Sequence, residues 1–241
     1  PVAAFTSNKT SGCSPLTVQF TDQSSGNPFS WAWDFGNGQL SNVKNPAVTF
    51  SQPGVYTIRL IVRNAFGIDD EIKTNYITVA PAPIAAFDAN ITTACAPALI
   101  QFNDRSTTPP GAGSITSWLW DFGDGATSTL QSPSHTYTTT GFYNVSLQIT
   151  SSTGCKSFAS AGRYIRIVSG ISPDFSFSQP GTCRAPFIVN FQNLTSGPGI
   201  LSYLWDFGNG GPTSTLQNPS TSYASPGTYT VRLTVQSDLG C

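Results

Sequence analysis

Trp33-Asp34-Phe35-Gly36-Asn37-Gly38 is the first of three copies of one short segment, and the other copies are Trp120–Gly125 and Trp205–Gly210. The copies start 87 and 85 residues apart (120 − 33 and 205 − 120). Self-similarity at a nearly fixed period is typical of a chain built from repeated domains. The 241 residues therefore predict three small domains, and a reactive group found in only one copy is weak support for catalysis.

The residues around each copy alternate between apolar and polar, as half-buried β-strands do. Aromatic residues occupy alternate positions in and before the repeated segment, and their burial should dominate each core. These aromatics are Trp31, Trp33 and Phe35; Trp118, Trp120 and Phe122; and Tyr203, Trp205 and Phe207. A later strand in each copy opens with a tyrosine, where a tyrosine corner would tie the strand to its preceding loop. These tyrosines are Tyr56, Tyr143 and Tyr229.

No helical period of useful length interrupts these patterns. About seven short antiparallel strands in roughly 80 residues predict an all-β chain of three tandem immunoglobulin-like β-sandwiches. The predicted domains are residues 1–80, 83–169 and 172–241, joined by short linkers in an elongated arrangement. The third copy stops before its final strand, so we expect that domain to be truncated and the parent chain to continue.

The motif and the residues downstream of it resemble the PKD (polycystic kidney disease) domain family. The resemblance is carried by Trp33–Gly38 with Pro46, Pro53–Tyr56 and Asn64–Gly67, by Trp120–Gly125 with Pro133–Tyr137, and by Trp205–Gly210 with Pro226–Tyr229. Copies one and three depart from the family motif at Asn37 and Asn209, where the family has a second Asp. The resemblance implies extracellular adhesion, stalk or accessory-binding modules. This version is similar to tandem arrays of adhesin-like proteins in Bacteroidota, including gliding-motility adhesins.

Composition excludes several classes of function. Charged residues make up 10% of the chain and the formal net charge is −1, so a basic surface for nucleic acid is absent. The polybasic cluster of a membrane-surface binder is absent as well, and no apolar run approaches the roughly 20 residues of a membrane span. Five cysteines among so few charges predict an oxidising, extracellular or cell-surface setting.

Candidate reactive groups are few. His135 is the only histidine, so a catalytic triad or a zinc site would exist in one copy alone. We therefore predict no catalytic residues, no cofactor and a structural polar role for His135. Asp34, Asp121 and Asp206, each with a second Asn or Asp, could offer oxygen atoms to calcium, which needs six to eight of them. The alternative is that each Asp accepts backbone N–H bonds in the turn, and Asp121 with Asp124 are the weak calcium candidates.

The five cysteines occupy two positions of the repeat. Cys13, Cys95 and Cys183 precede the second strand of a copy, and Cys155 and Cys241 follow the sixth strand. Pairing within a domain would link Cys95 to Cys155 and Cys183 to Cys241. In an antiparallel arrangement these positions lie at opposite ends of a strand, roughly 20 Å apart. A disulfide requires Cα atoms about 4.4–6.8 Å apart.

Pairing between neighbouring domains satisfies that limit. In domains stacked end to end, Cys13 would face Cys155 and Cys95 would face Cys241, with Cys183 left for a further domain. We favour this interdomain scheme, although a kinked first strand would permit the intradomain scheme.

Two functions fit these residues. The first is a non-enzymatic, rod-like stalk segment of a large secreted or cell-surface adhesin, whose partners are the neighbouring domains of a longer parent chain. The second is an accessory array that binds a polysaccharide or a protein for a secreted hydrolase. Exposed aromatic patches distinct from the core aromatics would favour the second function.

Overall fold

The computed structural model describes residues 1–179, 181 and 185–241. All regular secondary structure in these residues is β-strand, arranged as three successive pairs of sheets. The chain is thus three tandem immunoglobulin-like β-sandwiches, as the sequence predicted. Within the described residues, no helix has the length and apolarity needed to cross a membrane.

The first domain contains β1 (Phe5–Ser7), β2 (Ser11–Cys13), β3 (Leu16–Asp22), β4 (Ser30–Asp34), β5 (Leu40–Ser41), β6 (Ala47–Phe50), β7 (Gly54–Asn64) and β8 (Gly67–Ala80). The second contains β9 (Phe87–Ala89), β10 (Thr93–Cys95), β11 (Ala98–Asp104), β12 (Ile115–Asp121), β13 (Thr127–Ser128), β14 (Ser134–Tyr137), β15 (Gly141–Ser151) and β16 (Lys156–Val168). The third contains β17 (Phe175–Ser178), β18 (Phe187–Asn193), β19 (Leu201–Asp206), β20 (Ser220–Tyr223) and β21 (Arg232–Ser237).

Each of the first two domains packs a three-stranded sheet against a five-stranded sheet. In the first domain the orders are β1-β3-β6 and β2-β8-β7-β4-β5, and in the second they are β9-β11-β14 and β10-β16-β15-β12-β13. The third domain has the three-stranded sheet β17-β18-β20 and, in its described residues, only β19 and β21 of the second sheet.

The cysteine-bearing segment departs from the antiparallel arrangement that the sequence predicted. It forms a strand of its own, β2 in the first domain and β10 in the second. These strands run parallel to the last three residues of β8 and of β16, respectively. The preceding strand, β1 or β9, belongs to the opposite sheet. The chain therefore changes sheets between β1 and β2, which lets one short stretch pair with both layers of the sandwich.

The repeated tryptophan is the centre of each core. Trp33, Trp120 and Trp205 expose 1%, 0% and 0% of their surface. In the first domain the Trp33 ring lies 5.2 Å from Phe5 and 5.6 Å from Phe20 between ring centroids. Each indole N–H donates to a backbone carbonyl at 2.9–3.0 Å, so the polar atom of the side chain is satisfied inside the core.

The tyrosine corner predicted from the sequence is present in all three domains. Tyr56, Tyr143 and Tyr229 donate their hydroxyl hydrogen to the carbonyl oxygen four residues earlier, at 2.8, 2.8 and 2.9 Å. The aromatic ring packs against the core while the hydroxyl holds the loop that precedes the strand. The corner therefore ties Tyr56 and Tyr143, near the starts of β7 and β15, and Tyr229, just before β21, to the loop that precedes them.

Replacing Trp120 by alanine should destabilise the second domain by about 3–5 kcal/mol, because a fully buried aromatic side chain is lost from a packed core. Hydrogen exchange of β15 amides, measured by mass spectrometry, reports this domain alone. Leu119→Ala is the matched control, since the neighbouring Leu119 points outward and is 47% exposed, and we expect a change within about 0.5 kcal/mol. Equal losses in the two variants would contradict the assigned orientation of β12.

Candidate functional site

The carboxylate of the repeated motif is engaged in its own turn. Asp34 Oδ1 accepts a hydrogen bond from the N–H of Gly36 at 2.9 Å, and the two later copies repeat it at 2.8 and 3.0 Å. Three positions after each aspartate, a second side chain does the same. Its Oδ1 atom accepts a hydrogen bond from the backbone N–H two residues further on, at 3.0 Å for Asn37, Asp124 and Asn209. The side-chain oxygens thus replace backbone partners that the tight turn cannot provide.

The glycine in this turn is required by a close approach of two chain segments. Gly36 has φ +68°, and a Cβ atom on it would lie 2.7 Å from the carbonyl oxygen of Thr57. A residue with a side chain would suffer both backbone strain and a collision. The turn therefore packs directly on β7, and this close approach explains why a glycine recurs at this position in all three copies.

His135 completes the turn of the second domain and stacks on its core. Its Nε2 lies 2.7 Å from Oδ2 of Asp124, and its ring is parallel to Phe122 with centroids 4.2 Å apart. Burial acts to raise the pKa of Asp124, but the hydrogen bonds from His135 and from the N–H of Ala126 outweigh it and hold that pKa below its usual value. His135 is therefore a structural contact.

The carboxylate oxygens of the two calcium candidates are already engaged in hydrogen bonds within the domain. Asp121 Oδ1 and Asp124 Oδ1 each accept a backbone N–H, and Asp124 Oδ2 contacts His135. Among the residues the structure describes, no group of three or more His, Cys, Asp and Glu side chains could hold a metal ion. Calcium binding at Asp121 and Asp124 stays a prediction without a further ligand to support it.

The structure brings four cysteines together in two disulfides between consecutive domains. Cys13 is bonded to Cys155, with Cα atoms 5.5 Å apart, and Cys95 is bonded to Cys241, with Cα atoms 5.6 Å apart. These are the two pairs of the interdomain scheme. Cys183, the fifth cysteine, lies outside the described residues.

The first cysteine of each bond is placed by the parallel pairing described above. Cys13 lies opposite Ala80, the last residue of β8, and Cys95 lies opposite Val168, the last residue of β16. The next N–H, that of Ser14, donates to the carbonyl of Ala80 at 2.9 Å. Each of the first two domains therefore presents this thiol at its exit end, the end where the chain leaves for the next domain.

The second cysteine lies at the entry end of the following domain. Cys155 closes a turn after β15, in which the N–H of Ser151 donates to the carbonyl of Cys155 at 2.8 Å. Just beyond it, the hydroxyl of Ser157 accepts a hydrogen bond from Ala85 at 3.2 Å, so the turn lies beside the point where the chain enters. The same turn in the third domain is closed by Ser237 N–H to Cys241 at 3.1 Å.

The first domain has a shorter turn at the equivalent place. Asn64 pairs directly with Gly67 across a two-residue turn, and the turn carries no cysteine. The amide of Asn64 donates to the carbonyl of Gly26 at 2.7 Å, and its Oδ1 accepts from Phe66 at 2.9 Å. An asparagine thus stabilises in the first domain a turn that has a disulfide in the other two.

The linkers beside the disulfides are very short. Three residues, 81–83, separate the end of β8 from Ile84, which is bridged to Thr107 in the second domain. Three residues, 169–171, likewise separate the end of β16 from the bridged Ser172. Consecutive domains are therefore connected twice, by a short peptide and by a disulfide.

The linker also contacts the domain that it enters. The ring of Pro81 lies 3.5 Å from the position that a Cβ on Gly111 would occupy. Next in the chain, Ala112 is completely buried, as is Cys155, and the Ala112 carbonyl accepts a hydrogen bond from Thr153 at 2.9 Å. The entry end of the second domain is thus packed rather than open around its joint.

Comparison with known proteins gives a consistent assignment over the whole chain. A family model described as the PKD domain matches residues 1–79, 80–166 and 172–241. A "Microbial collagenase" of Vibrio alginolyticus is 38% identical over 98 residues, which are 41% of this chain and 11% of the collagenase. "Polycystin-1" of Homo sapiens is 26% identical over 221 residues, covering 78% of this chain and 5% of polycystin-1.

A solved structure of a single domain is also similar. The PKD1 domain of the Vibrio cholerae metalloprotease PrtV is 31% identical, with 36% of this chain and 96% of that domain covered at a TM-score of 0.31. The chain thus spans about a tenth or less of the length of the curated relatives named above.

Proposed function

The chain belongs to the PKD domain family, and we propose that it serves as a non-enzymatic spacer, a covalently reinforced rod within a larger extracellular protein. The observation that carries this proposal is the pair of disulfides, each of which joins one domain to the next. The domains would hold a distal part of the parent chain away from its anchor.

The two connections at each joint have a mechanical consequence. A three-residue linker alone would act as a hinge, because backbone dihedrals on either side can rotate. A disulfide a short distance from the linker adds a second attachment point, and bending then requires deformation of the strand that carries one cysteine and of the turn that carries the other. Because β2 and β10 are hydrogen-bonded to the closing strands, that deformation costs core structure and the joint is stiff.

The disulfides also limit how far the chain can be stretched. With both bonds closed, the shortest covalent path runs from residue 1 to Cys13, across to Cys155, back to Cys95 and across to Cys241. It contains 72 residue steps, 12 to reach Cys13 and 60 between Cys155 and Cys95. At about 3.5 Å per residue, the unfolded protein would extend to roughly 250 Å, against about 840 Å for the open chain.

Single-molecule force spectroscopy tests this role. Pulled between its ends without reductant, the protein should reach a contour length of about 250 Å. The double variant Cys13→Ser/Cys155→Ser is the matched control. Its shortest covalent path runs 94 residue steps from residue 1 to Cys95 and then crosses to Cys241, so its contour length should be about 330 Å. A contour length near 430 Å in the unaltered protein, which is the value for bonds within domains, would overturn the spacer proposal.

Other features support an extracellular setting for the spacer. Disulfides persist in oxidising compartments, and the Vibrio relatives are a collagenase and a pre-pro-metalloprotease, of which the segment similar to this chain makes up 11% and 7%. We propose neighbouring domains of a longer parent chain as the direct partners. A cell-surface adhesin, and a gliding-motility adhesin of Bacteroidota in particular, is the more specific form of this proposal and stays a prediction.

The second candidate is an accessory array that holds a polysaccharide or protein substrate for a hydrolase. The likeness to the collagenase favours it, as does one exposed row on the second domain. Leu119, Gln148 and Phe158 lie side by side across β12, β15 and β16, and Leu119 and Phe158 are 47% and 63% exposed. This row is separate from the core aromatics.

Co-sedimentation with insoluble collagen fibrils distinguishes the two candidates. A spacer should stay in the supernatant, with no difference between the unaltered protein and Phe158→Ser. Saturable binding to fibrils that Phe158→Ser weakens tenfold or more would instead establish the accessory role. Ile72→Ser, at an exposed outward position of the first domain, is the control for general loss of surface hydrophobicity.

A further inference from the structure

The second domain carries two arginines beside one exposed phenylalanine. The guanidinium carbon of Arg163 lies 3.9 Å from the ring centroid of Phe142, and that of Arg166 lies 5.8 Å from it. Phe142 is 51% exposed, and both arginines are exposed as well. Phe142 pairs with Arg166 across β15 and β16, and its neighbour Tyr143 is buried. The cluster of Phe142, Arg163 and Arg166 therefore lies on the outer face of the five-stranded sheet.

The charges of the two arginines are not neutralised within the domain. Among the residues that the structure describes, neither guanidinium has a carboxylate within salt-bridge distance. Asp88 is paired with Arg105 instead, and Asp124 contacts His135. Stacking on a ring uses the flat face of a guanidinium and leaves the N–H groups in its plane free. The cluster thus presents oriented, charged donors to the solvent.

The fold itself does not require this cluster. The first domain has the same strand pairing at this place, with Val55, Asn75 and Thr78 at the three equivalent positions. Asn75 and Arg163 lie in the same bulge, with φ +54° and +52°. Asparagine tolerates this left-handed conformation better than arginine does. Backbone strain of this kind is typical of functional sites, so the comparison indicates a role for the cluster other than stability.

A polar cleft extends from the cluster along the same face. It has a volume of about 450 Å³, and its lining includes Asp121, Asn144, Ser146 and Ser160. Asn144 joins the cleft to the cluster, because its Oδ1 accepts a hydrogen bond from the backbone N–H of Arg163 at 2.7 Å. Beyond it, Asp121, Ser146 and Ser160 lie side by side across β12, β15 and β16. The cleft therefore offers an amide, two hydroxyls and, at its far end, a carboxylate.

The two parts of this surface match different groups of one ligand. A pair of guanidinium groups favours a carboxylate or a sulfate, which accepts two parallel N–H bonds. Amide, hydroxyl and carboxylate groups in the cleft suit the hydroxyls of a sugar, which both donate and accept hydrogen bonds. The carboxylate of Asp121 disfavours a chain with a negative charge at every unit, such as a nucleic acid. An acidic glycan, with charges separated by neutral hydroxyls, fits both parts.

We propose that Phe142, Arg163, Arg166 and the adjoining cleft form a binding site for an acidic polysaccharide. The two guanidinium groups hold one carboxylate or sulfate of the glycan, and Asn144 and the cleft beyond it hydrogen-bond to hydroxyls of the neighbouring sugars. This goes beyond the spacer role, because it gives one domain of the rod a ligand of its own.

Binding of the 241-residue protein to immobilised dextran sulfate, followed by biolayer interferometry, tests the proposal. Unmodified dextran is the neutral counterpart, and polygalacturonate offers carboxylates in place of sulfates. The test variant is Phe142→Val/Arg163→Asn/Arg166→Thr, which should fold because the first domain has these residues at the same positions. We expect its affinity for the acidic glycans to fall by roughly tenfold or more, since charge-assisted hydrogen bonds are lost.

A second variant separates this site from a general effect of charge. Lys156→Gln/Arg63→Gln also removes two positive charges at exposed positions, and its affinity should change by about twofold or less at about 0.15 M salt, where distant surface charges are screened. The expected result includes no binding to unmodified dextran. Whichever of the two acidic glycans binds more tightly identifies the charged group that the arginines hold.

Three results would overturn the proposal. The first is no binding to either acidic glycan. The second is equal weakening in the two variants, which would reduce the binding to net charge. The third is binding to polyglutamate that is as tight as binding to the glycans and is lost in the test variant, which would assign the cluster to an acidic polypeptide instead.

Discussion

The parallel pairing of a three-residue strand with the end of the closing strand determines how this chain joins its domains. Ser11–Cys13 pairs in parallel with the last three residues of β8, and Thr93–Cys95 pairs in the same way with the last three residues of β16. Since the closing strand ends where the chain leaves the domain, the thiol is held at that exit. The following domain presents its own cysteine at the entry, and the two Cα atoms come within disulfide range.

The strength of that joint depends on the cores behind it. A strand of three residues has little stability of its own, and β2 is held because β8 is fixed by Ile77 and Val79 in the core. The core in turn is organised around the buried tryptophan and the tyrosine corner. A load applied across a disulfide therefore passes into the closing strand and from there into the packed sandwich.

Much of this could be predicted from the sequence because its cause is local. Alternating aromatics define which face of β4, β12 and β19 is buried, and the Asp-Phe-Gly turn contains its own hydrogen-bond partners. The parallel strand β2 could not be predicted, because three residues show no period and their partner is 67 positions away (Ser11 to Thr78). The shorter turn at Asn64 was missed for a similar reason, since only its pairing with Gly67 reveals it.

A non-reducing tryptic map tests the account of the joints most directly, because cleavage after Lys and Arg places every cysteine in a separate peptide. In the expected map, peptide 10–44 is joined to 106–156 and peptide 74–105 is joined to 233–241. A map in which 74–105 is joined to 106–156, and 167–184 to 233–241, would contradict it. Each domain would then be closed on itself, and the joints would be single linkers that bend.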